Sequence, residues 1–115
     1  MNPIYKICTA AEWQELLAAG RFRGSPDDRR DGFIHLSDAT TVRTTAEKHF
    51  AGREGLMLLA VDAAHLGKDL RRETSRGGVV FPHLYADLSR EAVIEAVPLP
   101  LGPDGLHRFP VGIPP

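Results

Sequence analysis

Short apolar segments, separated by polar turns, follow one another along the whole chain. Segments of this length bounded by Gly, Pro, Ser or Asp are typical of β-strands. The pattern predicts strands over 4–8, 33–36, 56–62, 70–73 and 93–99. The segment 56–62 is apolar almost throughout, which predicts a central strand covered on both faces, whereas 70–73 is expected at an edge. Pro82 has no amide for a ladder, so 80–85 is predicted as an edge, a bulge or an extended loop.

Capping residues and helical spacing predict two helices. Thr9 and Glu12 have the spacing of a capping box, and apolar residues follow on one helical face until Gly20. Ser37 or Asp38 is expected to cap a second helix that runs to about residue 51. This order of strand, helix, strand, helix and then several strands predicts an α+β domain.

Four connecting segments have turn chemistry. Residues 21–31 contain four arginines and several turn residues, and they are predicted to form a surface loop of mixed charge. Residues 63–66 can make one helical turn, and 102–105 can reverse the chain. Residues 74–78 form the segment richest in flexible residues, next to the second histidine segment, which is the position a substrate lid would need.

The composition is that of an ordinary soluble domain, and its single cysteine leads us to expect a cytoplasmic protein. The chain has 115 residues, the length of a single domain over 1–115, and a net charge of -1, so it has no global field for nucleic acid or an anionic membrane. It contains one cysteine, Cys8, which excludes an internal disulfide and is expected to be a small core residue. We expect no membrane partner and no general nucleic-acid binding, and the pattern implies no particular oligomeric state.

Two histidines stand in short apolar segments, and each is followed two residues later by a hydroxyl. Strand alternation places three side chains of each segment on one face: Phe33, His35 and Ser37 in the first, and Phe81, His83 and Tyr85 in the second. A half-buried histidine needs a hydrogen-bond partner and can exchange a proton near neutral pH. The pattern therefore indicates a pocket, or else two structural histidines satisfied by the backbone.

Charged side chains nearby extend this candidate site. Glu73 could stabilise a cationic transition state, or it could be a solvated strand residue. Arg72, Arg23 or Arg21 could bind a phosphate through a bidentate fork. Two histidines and a carboxylate could also hold a metal for a hydrolase, but no metal-ligand spacing is present, so we expect no metal.

With these motifs identified, the sequence resembles a bacterial "domain of unknown function" family numbered 952. The resemblance is carried by segments in family order across nearly the whole chain: Ile4-Tyr5-Lys6-Ile7 leading to Trp13, Gly32-Phe33-Ile34-His35-Leu36-Ser37, Leu59-Ala60-Val61-Asp62, and Arg72-Glu73 followed by Phe81-Pro82-His83-Leu84-Tyr85. The family has no established activity. Its members often carry His where this chain has Lys6.

The family in turn resembles the ADP-ribosyltransferase-like fold. That resemblance implies a small split, twisted antiparallel β structure with two short helices and NAD in a cleft. Residues 32–37 resemble its second motif strand, and the catalytic glutamate of the third motif could be Glu73, Glu91 or Glu95 by order. The fold by itself does not determine the chemistry.

The resemblance and the residues together suggest a pocket for an NAD-like or ADP-ribose-like nucleotide, with possible ribosyl or phosphoryl transfer. The expected catalytic residues are His35, His83 and Glu73, and the expected substrate-binding residues are Ser37, Tyr85, Arg72, Lys6 and Phe81. NAD is the expected cofactor. The alternatives are a small-metabolite-binding module without catalysis and, less favoured, a metal-assisted hydrolase.

Overall fold

Eight strands and four α-helices are found in the computed structural model, which describes residues 2–75 and 77–114. In chain order the elements are β1 (Ile4–Thr9), α1 (Ala10–Ala19), β2 (Arg21–Phe22), α2 (Pro26–Asp31), β3 (Ile34–His35), α3 (Val42–His49), β4 (Leu56–Val61), α4 (Ala63–Leu66), β5 (Leu70–Thr74), β6 (Val80–Leu84), β7 (Leu88–Ser89) and β8 (Val93–Leu99). Two turns of 3₁₀-helix occupy Gly67–Asp69 and Arg90–Ala92. The prediction of an α+β fold is confirmed, with four short helices in the described ranges where two were expected.

The first sheet is antiparallel, has the order β1-β4-β8, and lies between two hydrophobic cores. Alternate residues of β4 supply both: Leu59 and Val61 belong to one core, and Leu56 and Leu58 to the other. The predicted central strand covered on both faces is therefore confirmed. The capping box of Thr9 and Glu12 at the start of α1 is also confirmed.

The second sheet is antiparallel with the order β3-β6-β5, so β5 is the predicted edge strand and β6 is central. The expectation that the Pro82 segment is not a central strand was wrong. The carbonyl of Pro82 accepts the amide of Leu36, one residue beyond the end of β3. In an antiparallel strand the amide and the carbonyl of a residue point to the same side, so the nitrogen of Pro82 also faces Leu36. Because β3 has ended at His35, the lack of an N–H on Pro82 removes no hydrogen bond to a residue of β3. The short β2 and β7 pair separately.

Two further expectations about helices were wrong. Residues 21–31 are not a surface loop, because Ser25 and Asp28 form a capping box with Pro26 in the first turn of α2. The helix expected to be capped by Ser37 or Asp38 is α3, which begins only at Val42. The backbone carbonyl of Asp38, and not its side chain, accepts a hydrogen bond from the Val42 amide.

The connection between β5 and β6 includes Arg76, which lies outside the described residues. On either side of it, the amide of Ser75 donates to the carbonyl of Val79 and the amide of Gly78 donates to that of Ser75. The lid stays a prediction. None of the helices in the described ranges has the length and apolar character needed to cross a bilayer.

Candidate functional site

The second sheet brings the two histidines together. His35 of β3 is directly opposite His83 of β6, and their ring centroids are 5.9 Å apart. Because side chains directly opposite each other lie on the same face of a sheet, both imidazoles project to one side. The two histidine segments, which are far apart in sequence, thus form one site.

Phe33 is the aromatic centre of this site. Its ring stacks on His83, with centroids 4.0 Å apart and planes 24° apart, and it also contacts His35 at 4.6 Å and Tyr85 at 5.4 Å. Such contacts hold planar rings in fixed relative orientations. The site is therefore a partly exposed aromatic surface, which we call the histidine face: Phe33, His35, Glu73, His83 and Tyr85.

His35 is held by two carboxylates of α2. Its Nδ1 lies 2.6 Å from Oδ1 of Asp28, and its Nε2 lies 3.0 Å from Oδ2 of Asp31. The pKa of Asp31 is lowered, chiefly by a hydrogen bond from Arg30, so this carboxylate is an acceptor. A carboxylate oxygen therefore lies within 3.0 Å of each ring nitrogen.

Asp28 is the buried support of His35, with 2% of its surface exposed. It accepts from Nζ of Lys6 at 2.9 Å, from the His35 ring, and from the backbone amides of Ser25 and His35. Burial by itself would raise the pKa of Asp28, but the His35 hydrogen bond and the charge of Lys6 together hold that pKa far below its ordinary range. Lys6 also donates to the carbonyl of His35 at 3.1 Å, so it supports the site from beneath.

Glu73 of β5 holds the other half of the site. Its Oε1 lies 2.8 Å from Nδ1 of His83 and accepts the hydroxyl of Tyr85 at 2.6 Å. Both hydrogen bonds lower the pKa of Glu73, and the one from Tyr85 has the larger effect. The hydrogen bond between Tyr85 and Glu73 also raises the pKa of Tyr85. The guanidinium of Arg71 lies 4.5 Å above the centroid of the Tyr85 ring.

The structure separates two predicted residues, Ser37 and Arg72, from the histidine face and leaves a third, Phe81, on the same side of the sheet. Ser37 is buried, because its backbone pairs with Tyr5 of β1, and its hydroxyl is 2.9 Å from that of Thr45. Arg72 points to the opposite face from Glu73 and binds both carboxylate oxygens of Asp38, at 2.9 and 3.1 Å. Phe81 pairs with Glu73 in the β5–β6 ladder and shares its face.

Comparisons with known proteins place the chain in a family. The family described as "Protein of unknown function (DUF952)" matches residues 7–96. The chain belongs to this family. A comparison with curated proteins finds no match.

Solved structures of protein CC0527 from Caulobacter crescentus are similar to this DUF952 chain over its length. The crystal structure is 49% identical, covers 92% of this chain and 93% of CC0527, and has a TM-score of 0.88. The solution NMR structure is 50% identical, covers 92% and 91%, and has a TM-score of 0.83.

Four residues of the DUF952 site were not predicted from the sequence: Asp28, Asp31, Phe33 as the stacking partner, and Arg71. A signal for Asp28 was present, because Ser25-Pro26-Asp27-Asp28 has the spacing of a capping box with proline at the first helical position. Of the three glutamates that the family resemblance left open, Glu73 is at His83, whereas Glu91 lies in the second 3₁₀ turn and Glu95 on β8.

Three other features of this DUF952 protein were considered as sites: a metal cluster, the thiol of Cys8 and the cavities. Within the described residues, no three His, Cys, Asp or Glu side chains are arranged to hold a metal ion. Burial, followed by the charge of Glu12, raises the pKa of the Cys8 thiol to about 12, as suits a core residue. A cavity of about 170 Å³ beside His107 and one of about 130 Å³ beside Tyr5 lie away from the histidine face.

Proposed function

We propose that the histidine face binds an NAD-like or ADP-ribose-like nucleotide and acts in ribosyl transfer, in the manner of an ADP-ribosyltransferase-like enzyme. The observation that carries the proposal is the direct opposition of His35 and His83, with Phe33 in contact with both rings and Glu73 beside His83. Aromatic surface, imidazole donors and an ionised carboxylate on one face are what a base, a ribose and a ribosyl cation require.

Each part of the nucleotide has a suitable group. A base would stack against the exposed ring of Tyr85, and the Arg71 guanidinium, 4.5 Å from the centroid of that ring, would meet a phosphate oxygen. Arg71 takes the role expected for Arg72, whose guanidinium is engaged by Asp38. Glu73 is ionised, and Oε1 accepts both of its side-chain hydrogen bonds, so the carboxylate can offset positive charge developing on the ribosyl carbon.

The proposal includes the likeness to the ADP-ribosyltransferase-like fold. Two antiparallel sheets, with the histidine of residues 32–37 at the edge of one of them, are compatible with a split β structure. The second candidate is a small-metabolite-binding module without turnover, which the two carboxylate bonds of His35 favour because they occupy both ring nitrogens. A metal-assisted hydrolase lacks a suitable ligand set among the described residues.

Calorimetric titration and thermal shift with NAD, ADP-ribose and nicotinamide test the proposal. A ligand that binds only the native state stabilises it by about 2.7 kcal/mol when the free ligand concentration is 100 times its Kd, so the melting temperature should rise. The rise and the binding heat should vanish in Tyr85→Ala, which removes the exposed ring on which the base would stack, and persist in His65→Ala, which removes an exposed histidine on α4. Absence of binding at millimolar nucleotide would contradict the proposal, and binding without nicotinamide release would favour the second candidate.

A further inference from the structure

The proton position on His83 follows from its partner. Glu73 has a lowered pKa and is therefore a carboxylate at neutral pH, which can accept hydrogen bonds but cannot donate one. Nδ1 of His83 lies 2.8 Å from this carboxylate, so Nδ1 must carry the proton. In the neutral ring, Nε2 is then the nitrogen with the free electron pair.

Nε2 of His83 is available for chemistry. It has no hydrogen-bond partner within residues 2–75 and 77–114, although Nδ1 has one. No buried side-chain nitrogen or oxygen in these ranges lacks a partner, so Nε2 is not sealed from solvent. The Phe33 ring, 4.0 Å away, keeps the imidazole plane from rotating freely. The ring is thus oriented at one nitrogen and open at the other.

His35 cannot serve in the same way. Both of its ring nitrogens lie on carboxylates, at 2.6 Å from Asp28 and 3.0 Å from Asp31. Neither nitrogen is open to a water nucleophile, because a carboxylate oxygen occupies the position in front of each. The two opposed histidines therefore differ in the property that a base needs.

We propose that His83 is the general base of this site, with Nε2 accepting a proton from a water nucleophile, and that Glu73 is its positioning residue. The inference rests on the proposed function for its electrophile, the ribosyl carbon of an NAD-like nucleotide. A carboxylate that orients an imidazole through Nδ1 leaves Nε2 directed at the reacting group, which is the arrangement general-base catalysis requires.

The step balances without any further reactant. The water oxygen forms a bond to C1′ of the ribose, and the bond from C1′ to the nicotinamide nitrogen breaks. The bonding electron pair remains on that nitrogen and neutralises its positive charge. One water proton passes to Nε2 of His83 and then to solvent, so the products are ADP-ribose, nicotinamide and a proton.

Long-range ¹H–¹⁵N NMR of ¹⁵N-labelled protein tests the proton position without substrate. Spectra recorded at alkaline pH give the tautomer of the singly protonated ring from its two nitrogen shifts. We expect the Nδ1–H tautomer of His83 in the wild type and in Tyr85→Phe, which keeps the carboxylate. Glu73→Gln should give a mixture with the Nε2–H tautomer, because an amide can donate as well as accept. A wild-type His83 that is mainly Nε2–H would overturn the inference.

Nicotinamide release from NAD tests the catalytic role. His83→Ala should lower kcat by about 100-fold or more, the usual range for a general base, and should weaken NAD binding much less in the same preparation. Glu73→Gln should lower kcat and change its pH profile, whereas His65→Ala, at an exposed position of α4, should retain the wild-type kcat. Unchanged kcat in a well-folded His83→Ala would overturn the base and leave the nucleotide site standing. A wild type that neither binds nor cleaves NAD would overturn both proposals.

Discussion

The two halves of the histidine face are built differently, although their histidines are directly opposite each other. On the His35 side, Asp28 and Lys6 are buried, and Asp28 accepts four hydrogen bonds. On the His83 side, Glu73 is partly exposed and uses one oxygen for two donors. The carboxylate of the first half lies in the core and that of the second at the surface, although the His83 side chain is more buried than that of His35. We infer that the first maintains the fold of the site, whereas the second is free to react.

Asp28→Ala should have the largest effect on stability. Removing one member of a buried ion pair leaves an uncompensated charge, here on Lys6, and typically costs about 3–5 kcal/mol. We expect the free energy of unfolding from urea denaturation to fall by about 3 kcal/mol or more. Asp27→Ala, an exposed aspartate of the same helix, is the matched control and should change it by less than about 0.5 kcal/mol. A small loss in Asp28→Ala would remove the distinction between the two halves.

Acid should destabilise the protein through Asp28, on the His35 side of the histidine face. The folded-state pKa of Asp28 lies below its unfolded value, so below about pH 3.9 the unfolded chain binds a proton that the native chain does not. The stability that Asp28 contributes is complete above that pH and is lost as the pH falls towards the folded-state pKa. Unfolding free energies measured between about pH 5 and pH 2 should fall less steeply in Asp28→Asn than in the wild type. Equal slopes would show that other carboxylates dominate.

Phe33→Leu should have a moderate effect on both halves, because the ring contacts both histidines. Loss of an aromatic stack costs about 1 kcal/mol beyond the buried area, and leucine keeps much of that area. Chemical denaturation should show this loss, together with a change in the ring-proton shifts of His83. Phe81→Leu changes a half-buried phenylalanine on the same face and should leave those shifts nearly unchanged. Equal changes in the two variants would mean that the stack has no specific role.

Glu73→Gln should have the smallest effect on stability. The side chain is partly exposed, and glutamine can still accept the Tyr85 hydroxyl, so we expect a melting temperature within error of the wild type. The tautomer of His83 should nevertheless change. A loss of stability comparable with that of Asp28→Ala would make Glu73 a structural residue and would contradict its assignment as a positioning residue.

Local signals account for the elements that were predicted correctly. The capping box at Thr9, the apolar run of β4 and the turn around Gly102 each depend on neighbouring residues, and all three are confirmed. The prediction that Pro82 excludes a central strand was wrong because a proline disrupts a sheet only where the partner strand needs its amide, and this depends on where that strand ends. That end is set by β3, which lies more than forty residues earlier in the chain.

The sequence by itself determined the α+β class, the family, and the two histidine segments with their aromatic neighbours. Tertiary structure decided which of the charged residues meet. Asp28 reaches His35 because α2 packs beneath β3, and Glu73 reaches His83 through the β5–β6 register, whereas Arg72 is directed to the opposite face. The physical reason is that strand pairing and helix docking are long-range contacts, and a shift of one residue in register moves every side chain to the other face.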